Sequence, residues 1–447
     1  MNEQHLPFRE RVRKHVLNLL HNRSITFQEL LKRSLNCDPA VLMETLQNLE
    51  DSKHISNIQS QRHFIKYYLT RSDTHQSRFP SSCEENSPGF FPNVPLVSTR
   101  TQHLKRILEE MLHDLPEPSP VYSQWWFSKS IYSTLIKFLL ALSKPYTAKT
   151  PIAFLGSPTL GALFSHCSTN HVHIFDVDEV TLEKVSQHCS KSTRMIHYNA
   201  SHELDNSFKS TFHLVFADPP WSSSLLRTFL IRSSTLLSTG GTLAISFPQI
   251  FTRPTISSER KKLKRLASQL GLSLKSIFPN FPEYSVPLFE HNAYKHHGIT
   301  LKKPWRKGDL FVYTKTHDSP LDLTRLIEKT TEWNQYCYRK SRLFLKRDGL
   351  FEDASPSVEP IPGLEDLTYK STTSRMASWK SASLISTRNR IAHAYGRKNL
   401  SALLRRAFKE NHRPFSLTMP PEIKKIISDM LEIETPQNLS LAKHEEV

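Results

Sequence analysis

The chain has 447 residues, enough for about two to four domains, and its 59 Lys and Arg against 42 Asp and Glu give a formal net charge of +17. No run of apolar residues reaches the roughly eighteen needed for a membrane span, and five cysteines without a CxxC pair argue against a disulfide framework or a zinc ribbon. A soluble, cytoplasmic chain in a reducing setting is expected, and the charge favours a polyanionic partner over a merely basic solvated surface.

Phe8, Val12, Val16, Leu19 and Leu20 recur at helical spacing. Charges are scattered through this first segment, so it reads as a helix and not as a secretory leader. Thr26 caps a short second helix, FQELLKRS, and Asp38 with Pro39 opens a third that carries Val41, Leu42, Thr45, Leu46 and Leu49. HISNIQSQRHFIKYYLT then predicts a two-stranded wing. Residues 1–70 therefore read as a winged helix. Its third helix would normally be the groove reader, yet Asp38, Glu44, Glu50 and Asp51 flank it, so nucleic-acid reading and protein interaction or dimerisation both stand open. Residues 71–119 read as a linker with one helix: 71–97 is rich in Ser, Pro and Asn, a helix is expected near 99–113, and PEPSP at 116–120 ends it.

From 120 to 316 short apolar runs alternate with helical patterns, which predicts an α/β domain with a mixed sheet of Rossmann type. The clearest strands are IAFLG at 152–156, VHIFDVD at 172–178, FHLVFADPPW at 212–221, GTLAISFP at 241–248 and DLFVYTK at 309–315. Helices are expected over 224–238 and over SERKKLKRLASQLG. Beyond 316 the strand patterns fade and basic helical faces dominate, so residues 317–447 read as a separate all-α domain. The overall class is α/β with a small domain at each end.

Glycine is scarce, 11 residues where average usage of about 7% would give roughly thirty. Gly156, Gly161, Gly240 and Gly241 all fall in the central segment, where a backbone must turn sharply or lie close to a ligand.

The strongest chemical signal is Asp218-Pro219-Pro220-Trp221, at the carboxyl end of a strand, where open α/β sheets bind their ligands. Two prolines stiffen the turn and remove two N–H donors. Asp218 and nearby carbonyls are then held as acceptors able to grip an amine nitrogen, with Trp221 walling in the acceptor. The alternative is a turn with a packing Trp. The loop Gly156-Ser157-Pro158-Thr159 follows the first strand, and Asp176 and Asp178 end the second, positions suited to a nucleoside donor and its ribose hydroxyls. A period of two places both acids on one face, so one could hold ribose and the other shape the acceptor site.

The order GSPT, DVDE, ADPPW, NFPEY (280–284) and KPW (303–305) resembles the C-terminal domain of branched-chain polyamine synthases, the N4-bis(aminopropyl)spermidine synthases. The resemblance covers about residues 120–316 and implies a Rossmann transferase joined to an N-terminal winged helix. It also implies decarboxylated S-adenosylmethionine as donor, an amine acceptor such as a polyamine, and Glu283 and Tyr284 beside Asp218 in the reaction centre. The family's first-strand loop is an acidic GDDD, and GSPT stands here. A desolvated polycation needs those carboxylates.

YSQWWFS (122–128) followed by ADPPW is similar to adenine-N6-methyltransferase-like proteins. That resemblance implies S-adenosylmethionine (SAM) as donor and a nitrogen acceptor, with Trp125, Trp126 and Trp221 suited to stacking on a base. Trp125 and Trp126 equally suit a hydrophobic lid. In the C-terminal segment, TRNRIAHAY (387–395) resembles the R-N-x-x-x-H signature of HEPN domains, helical bundles that are often dimeric ribonucleases. By that resemblance Arg388 would steady a phosphate, Asn389 would stand beside it, and His393 would be the base; otherwise the residues sit on a solvated basic face. His166, Cys167, His171, His173, His188 and Cys189 show no tetrahedral ligand spacing, and no metal is expected.

Overall fold

The computed structural model describes residues 6–21, 23–59, 65–69, 98–147, 150–295, 298–301, 303–319, 322, 324–347, 354–372, 377–409 and 419–432. The chain divides into two compact units, the first comprising residues 1–114, 126–286 and 301–328, and the second residues 115–125, 287–300 and 329–447.

In the first unit, α1 (Phe8–Leu20), α2 (Phe27–Arg33) and α3 (Pro39–Asp51) pack through Val12, Val16, Leu20, Leu30, Leu31, Leu42, Leu46 and Leu49. Thr26 and Glu29 close a reciprocal capping box on α2. Asp38 accepts the Ala40 N–H at the start of α3, and Pro39 takes the first helical position. Strands β1 (Ile25–Thr26), β2 (Ile55–Gln59) and β3 (Ile65–Leu69) form a small sheet in the order β1-β3-β2. The expected wing tip at 60–64 and the expected linker at 71–97 lie outside the described residues.

Helix α4 (Ser98–Asp114) precedes α5 (Tyr132–Ser143), an apolar helix that buries Leu135, Ile136, Phe138 and Leu139. The mixed sheet follows: β4 (Pro151–Leu155), α6 (Pro158–Ser165), β5 (His171–Asp176), α7 (Glu179–Ser186), β6 (Arg194–His197), β7 (Phe212–Ala217), α8 (Ser223–Leu236), β8 (Leu237–Pro248), α9 (Ile256–Gln269), β9 (Leu272–Phe278) and, later, β10 (Gly308–Lys315). Seven strands run in the order β6-β5-β4-β7-β8-β10-β9. Pairs from β6 to β8 are parallel and β10 is antiparallel to both neighbours. After β4 the chain steps outward to β5 and β6, then returns to β7 and continues the other way. The switch point lies between β4 and β7. Because β4 and β7 are central in the sheet and buried along most of their length, they read as largely apolar runs.

The second unit corrects the all-α expectation for residues 317–447. After α10 (Leu288–Lys295) it forms a five-stranded antiparallel sheet in the order β11-β12-β14-β15-β13. The strands are β11 (Trp333–Tyr338), β12 (Ser341–Lys346), β13 (Ser357–Glu359), β14 (Leu384–Ser386) and β15 (Ile391–Tyr395). A short helix, α11 (Ala377–Ser381), precedes β14, and α12 (Arg397–Lys409) and α13 (Pro421–Leu431) follow β15. Leu343, Leu345, Leu384, Ala392 and Ala394 meet Leu400, Leu404, Ile423 and Ile427 in one core, while Ile385 and Ile391 pack with Trp333 and Trp379 in another. These strands escaped the sequence reading because the β11–β12 and β14–β15 hairpin turns carry no glycine. Arg339 itself takes the left-handed conformation (φ 54°) in the β11–β12 hairpin, and Asn389 (φ 60°) does so between β14 and β15.

Candidate active site

The register of three neighbouring strands brings the expected residues to one edge. Leu155 of β4 pairs with Phe175 of β5 and with Ala217 of β7, so Gly156, Asp176 and Asp218 each follow at a strand end. Two hydrogen bonds tie these ends: the Gly156 N–H donates to the Phe175 carbonyl at 2.9 Å, and the Asp218 N–H to the Leu155 carbonyl at 3.0 Å. Gly156 has φ +70°, and a Cβ there would stand 2.8 Å from the Phe229 ring and 2.9 Å from the Asp218 carbonyl oxygen. The glycine is required by how closely the Asp218 turn approaches the first loop.

Asp218 is the focus of a polar cluster. The Tyr284 hydroxyl donates to its Oδ1 at 2.6 Å, and the Ser246 Oγ lies 2.8 Å from that hydroxyl. Burial pushes the Asp218 carboxyl up to about 7, against the downward pull of Tyr284, Ser246 and Arg306. Burial and the neighbouring carboxylate drive the Tyr284 phenol well above its ordinary range, so it stays a donor. Trp221 is 8% exposed, packs edge-on against Tyr284 at 5.4 Å, and carries the Arg306 guanidinium 4.3 Å from its ring centre. Arg253 donates to the Trp221 carbonyl at 2.5 Å and is itself held by Glu259, which anchors the far side of the turn. Pro219 and Pro220 supply no N–H to the turn.

Tyr284 is placed by short backbone bridges, Phe127 with Tyr284 and Glu283 with Lys307. Glu283 does not join Asp218. Its Oε1 accepts from the Ser128 hydroxyl at 3.0 Å, and Lys32 stands 4.0 Å from Oε2.

On the donor side, Ser157 is 3% exposed and its hydroxyl oxygen has no hydrogen-bond partner among the described residues. Asp176 is 8% exposed and one of its oxygens accepts the Asp178 N–H at 2.9 Å. A buried hydroxyl lacking a partner beside a strand-end carboxylate fits a nucleoside with ribose hydroxyls. Asp178 is fully buried and caps α7, accepting from the Thr181 hydroxyl at 2.7 Å and from its N–H. It serves the helix start, and only Asp176 of the pair stands at the open end of the strand. Thr159 is 1% exposed and its hydroxyl lies 2.9 Å from the Tyr132 hydroxyl, which holds α5 to the first loop.

Ser246, Arg306 and Arg253 were not legible as site residues. Ser246 is a hydroxyl between Ile245 and Phe247 in the fully buried half of β8, a polar interruption that could have flagged it. Asn199 follows β6, whose half-exposed residues give no apolar run. Tyr198 donates its N–H to the Asp176 carbonyl at 2.8 Å, which ties the end of β6 to the end of β5.

Trp126 lends its carbonyl to the Ser285 N–H, and Trp125 packs edge-on against Phe289. The HEPN reading of Arg388, Asn389 and His393 is corrected. They lie on the β14–β15 hairpin, where alternation sends Ile391 and His393 to one face and Ala392 and Ala394 to the other. Asn389 makes the turn and accepts from Trp379 Nε1 at 2.6 Å. Arg388 pairs with Glu117 at 3.0 Å and Glu432 at 3.5 Å. Among the described residues no group of three His, Cys, Asp or Glu is placed to hold a metal ion, and no helix there is long and apolar enough to cross a membrane.

Residues 120–297 match the family model for a probable N6-adenine methyltransferase. Among solved structures, the branched-chain polyamine synthase from Thermus thermophilus in complex with N4-aminopropylspermidine and 5'-methylthioadenosine is similar at 13% identity. It covers 72% of this chain and 92% of that one with a TM-score of 0.55. The C9 mutein of the same enzyme, with the same two molecules, is similar at 13% identity over 72% of this chain and 90% of that one, with a TM-score of 0.54. No curated protein sequence matches the chain. At such identity the solved structures establish the fold alone. The family match falls on the central segment, the one that carries the mixed sheet and the Asp218 turn.

Proposed function

We propose that this protein transfers a methyl group from SAM to an exocyclic amine of a nucleobase. The observation that carries this reading is the Arg306 guanidinium on Trp221 beside Asp218. A polyamine acceptor would meet that positive charge beside a carboxyl that burial holds toward its neutral form, and Glu283 is engaged by Ser128 and Lys32. A neutral, planar amine has no such conflict, and its ring suits the aromatic wall of Trp221.

When bound, the donor supplies an electrophilic carbon on a positively charged sulfur. Ser157 and Asp176 hold its nucleoside. Asp218 and a carbonyl of the Pro219–Pro220 turn accept the two N–H hydrogens of the acceptor amine. That orients the nitrogen lone pair and raises its electron density. A carboxyl titrating near 7 is also matched to taking the proton that the nitrogen releases. Tyr284 and Ser246 keep the carboxylate in one rotamer, and Arg253 fixes the Trp221 end. The N-terminal unit, with its three helices and β-ribbon, we read as a winged helix serving the same polyanionic acceptor.

The test is label transfer. Purified protein is incubated with methyl-labelled SAM and adenine-containing oligonucleotides, and in parallel with labelled decarboxylated SAM and spermidine. Label in N6-methyladenine is the expected result. Label in a branched polyamine and none in the oligonucleotide would replace the methyl reading with aminopropyl transfer.

A further inference from the structure

Helix α2 brings a second set of charges to the acceptor side of the reaction centre. Asn36, just beyond α2, clamps the backbone of Lys307: its Oδ1 accepts the Lys307 N–H at 2.8 Å, and its Nδ2 donates to the Lys307 carbonyl. Phe251 seals the same junction. Its N–H donates to the Leu35 carbonyl at 3.2 Å, and its ring meets Phe8 and His15. Lys32 Nζ is thereby held 4.0 Å from Glu283 with its side chain 53% exposed, and Arg33 beside it is exposed. The segment bearing Arg306 and Lys307 runs against Glu283 and Tyr284, through the Glu283–Lys307 bridge and the Tyr284 N–H donating to the Arg306 carbonyl at 2.9 Å.

Lys32 and Lys307 thus flank Glu283, the neighbour of the Tyr284 that bonds Asp218, with the Arg33 charge close enough to act on Lys307 and the Arg306 guanidinium lying over Trp221. No carboxylate closes an ion pair with Lys307 among the described residues. Burial and the nearby Lys32 and Arg33 charges hold its ammonium below the ordinary lysine range, although Glu283 pulls the other way. Like charges crowded this way are stable only with an anion between them or at a cost that the fold must offset elsewhere. The exposed residues of α3, the helix that would read a groove, are Ala40, Glu44, Gln47, Asn48 and Asp51. A polyanion is favoured at the α2 rim and not there.

We propose that the end of α2 and the 306–307 segment form one phosphate-binding rim. It would hold the sugar–phosphate backbone of a single-stranded nucleic acid while the flanking base enters at Trp221. This rests on the nucleobase reading above and names its acceptor as a polynucleotide and not a free nucleoside or nucleotide. The rim takes phosphodiester oxygens as point charges on Lys32 and Lys307 and as forked hydrogen bonds on Arg33. The N-terminal unit then contributes to substrate binding through its second helix.

The experiment measures binding of fluorescent 20-mers of oligo(rA) and oligo(dA) to the full chain by anisotropy across a salt series. Wild-type protein is compared with Lys32→Gln/Arg33→Gln and with Lys264→Gln/Arg265→Gln, the latter an equal loss of charge on the exposed face of α9. The rim variant is expected to bind tenfold or more weakly, with its salt slope reduced by about 1.4 for two single-strand contacts, while the α9 variant changes less. A rim variant that binds as wild type, an equal loss in both variants, or a wild-type chain that binds neither oligonucleotide overturns the proposal. The two arms separate RNA from DNA. Thermal unfolding of each variant guards against misfolding, with Arg33→Gln alone as the milder change. Calorimetry with SAM keeps the two readings apart: oligonucleotide binding without donor binding would sink the transferase reading and leave the rim standing.

Discussion

The central sheet and the C-terminal sheet each carry a short motif that reads as chemistry, and they use it in opposite ways. Asp218 stands at the end of β7, where the strand register stops and three neighbouring ends open together. Arg388 stands in a hairpin turn, between two strands that pair on both sides of it. Both are polar, partly buried and held by several partners. The Asp218 partners, Tyr284 and Ser246, tune a group that still titrates near neutrality. The Arg388 partners, Glu117 and Glu432, neutralise it and tie segments that are distant in sequence. What separates site from staple is the position of the motif relative to the end of its strand.

The sharpest way to break this contrast is Asp218→Asn. It keeps shape and removes the charge, so transfer should fall by about 10²–10⁴-fold while donor affinity stays within about twofold. The same variant has a signature in stability. Burial keeps Asp218 protonated up to about 7 in the folded chain, whereas the unfolded carboxyl ionises near 3.8. Between those values the folded state binds more protons, so the contribution is complete below the lower value and is lost as pH rises through the upper one. Melting curves from pH 4 to 8 should therefore decline less in Asp218→Asn than in wild type. An unchanged slope would show that the carboxyl is not the buried titrating group.

Tyr284→Phe comes next. The lost hydrogen bond favours the ionised carboxyl, so the variant should raise the Asp218 pKa and slow transfer at pH 7 by roughly fivefold. The acid limb of the kcat profile should move to higher pH. A simple loss of rate with no movement of that limb would mean Tyr284 acts only through packing.

Legibility followed the same line as function. The strands β4, β5, β7 and β8 were plain because each carries a largely buried run dominated by apolar residues. Asp176 and Asp218 were plain because they end those runs. Asp178 was read as a ligand because a strand end and a helix N-cap both want a carboxylate, and spacing alone does not distinguish them. β6 was invisible as a half-exposed edge. The C-terminal strands were lost because Arg339 and Asn389 make turns usually left to glycine, and because basic residues around short apolar runs imitate a helical face. Arg306 and Lys32 were beyond reach, since their roles depend on pairings between segments far apart in the chain.

The C-terminal half of the contrast predicts smaller effects. Arg388→Ala removes one member of a largely buried ion network and should cost about 1–3 kcal/mol of stability, read by denaturant unfolding, with no change in the kinetics of transfer. His393→Ala, on a sheet face beside exposed Tyr395, should shift stability by no more than about 0.5 kcal/mol. A large loss from His393 would return that residue to the candidates for chemistry.

The most direct measurement is calorimetric titration of SAM into wild-type protein, Asp176→Ala and Asp218→Asn. Wild type and Asp218→Asn should bind alike, and Asp176→Ala should bind about tenfold to a hundredfold more weakly, as expected for lost hydrogen bonds to a charged group. Heat of binding absent from wild type, or unchanged by Asp176→Ala, would contradict a nucleoside held at the ends of β4 and β5 beside the Asp218 turn.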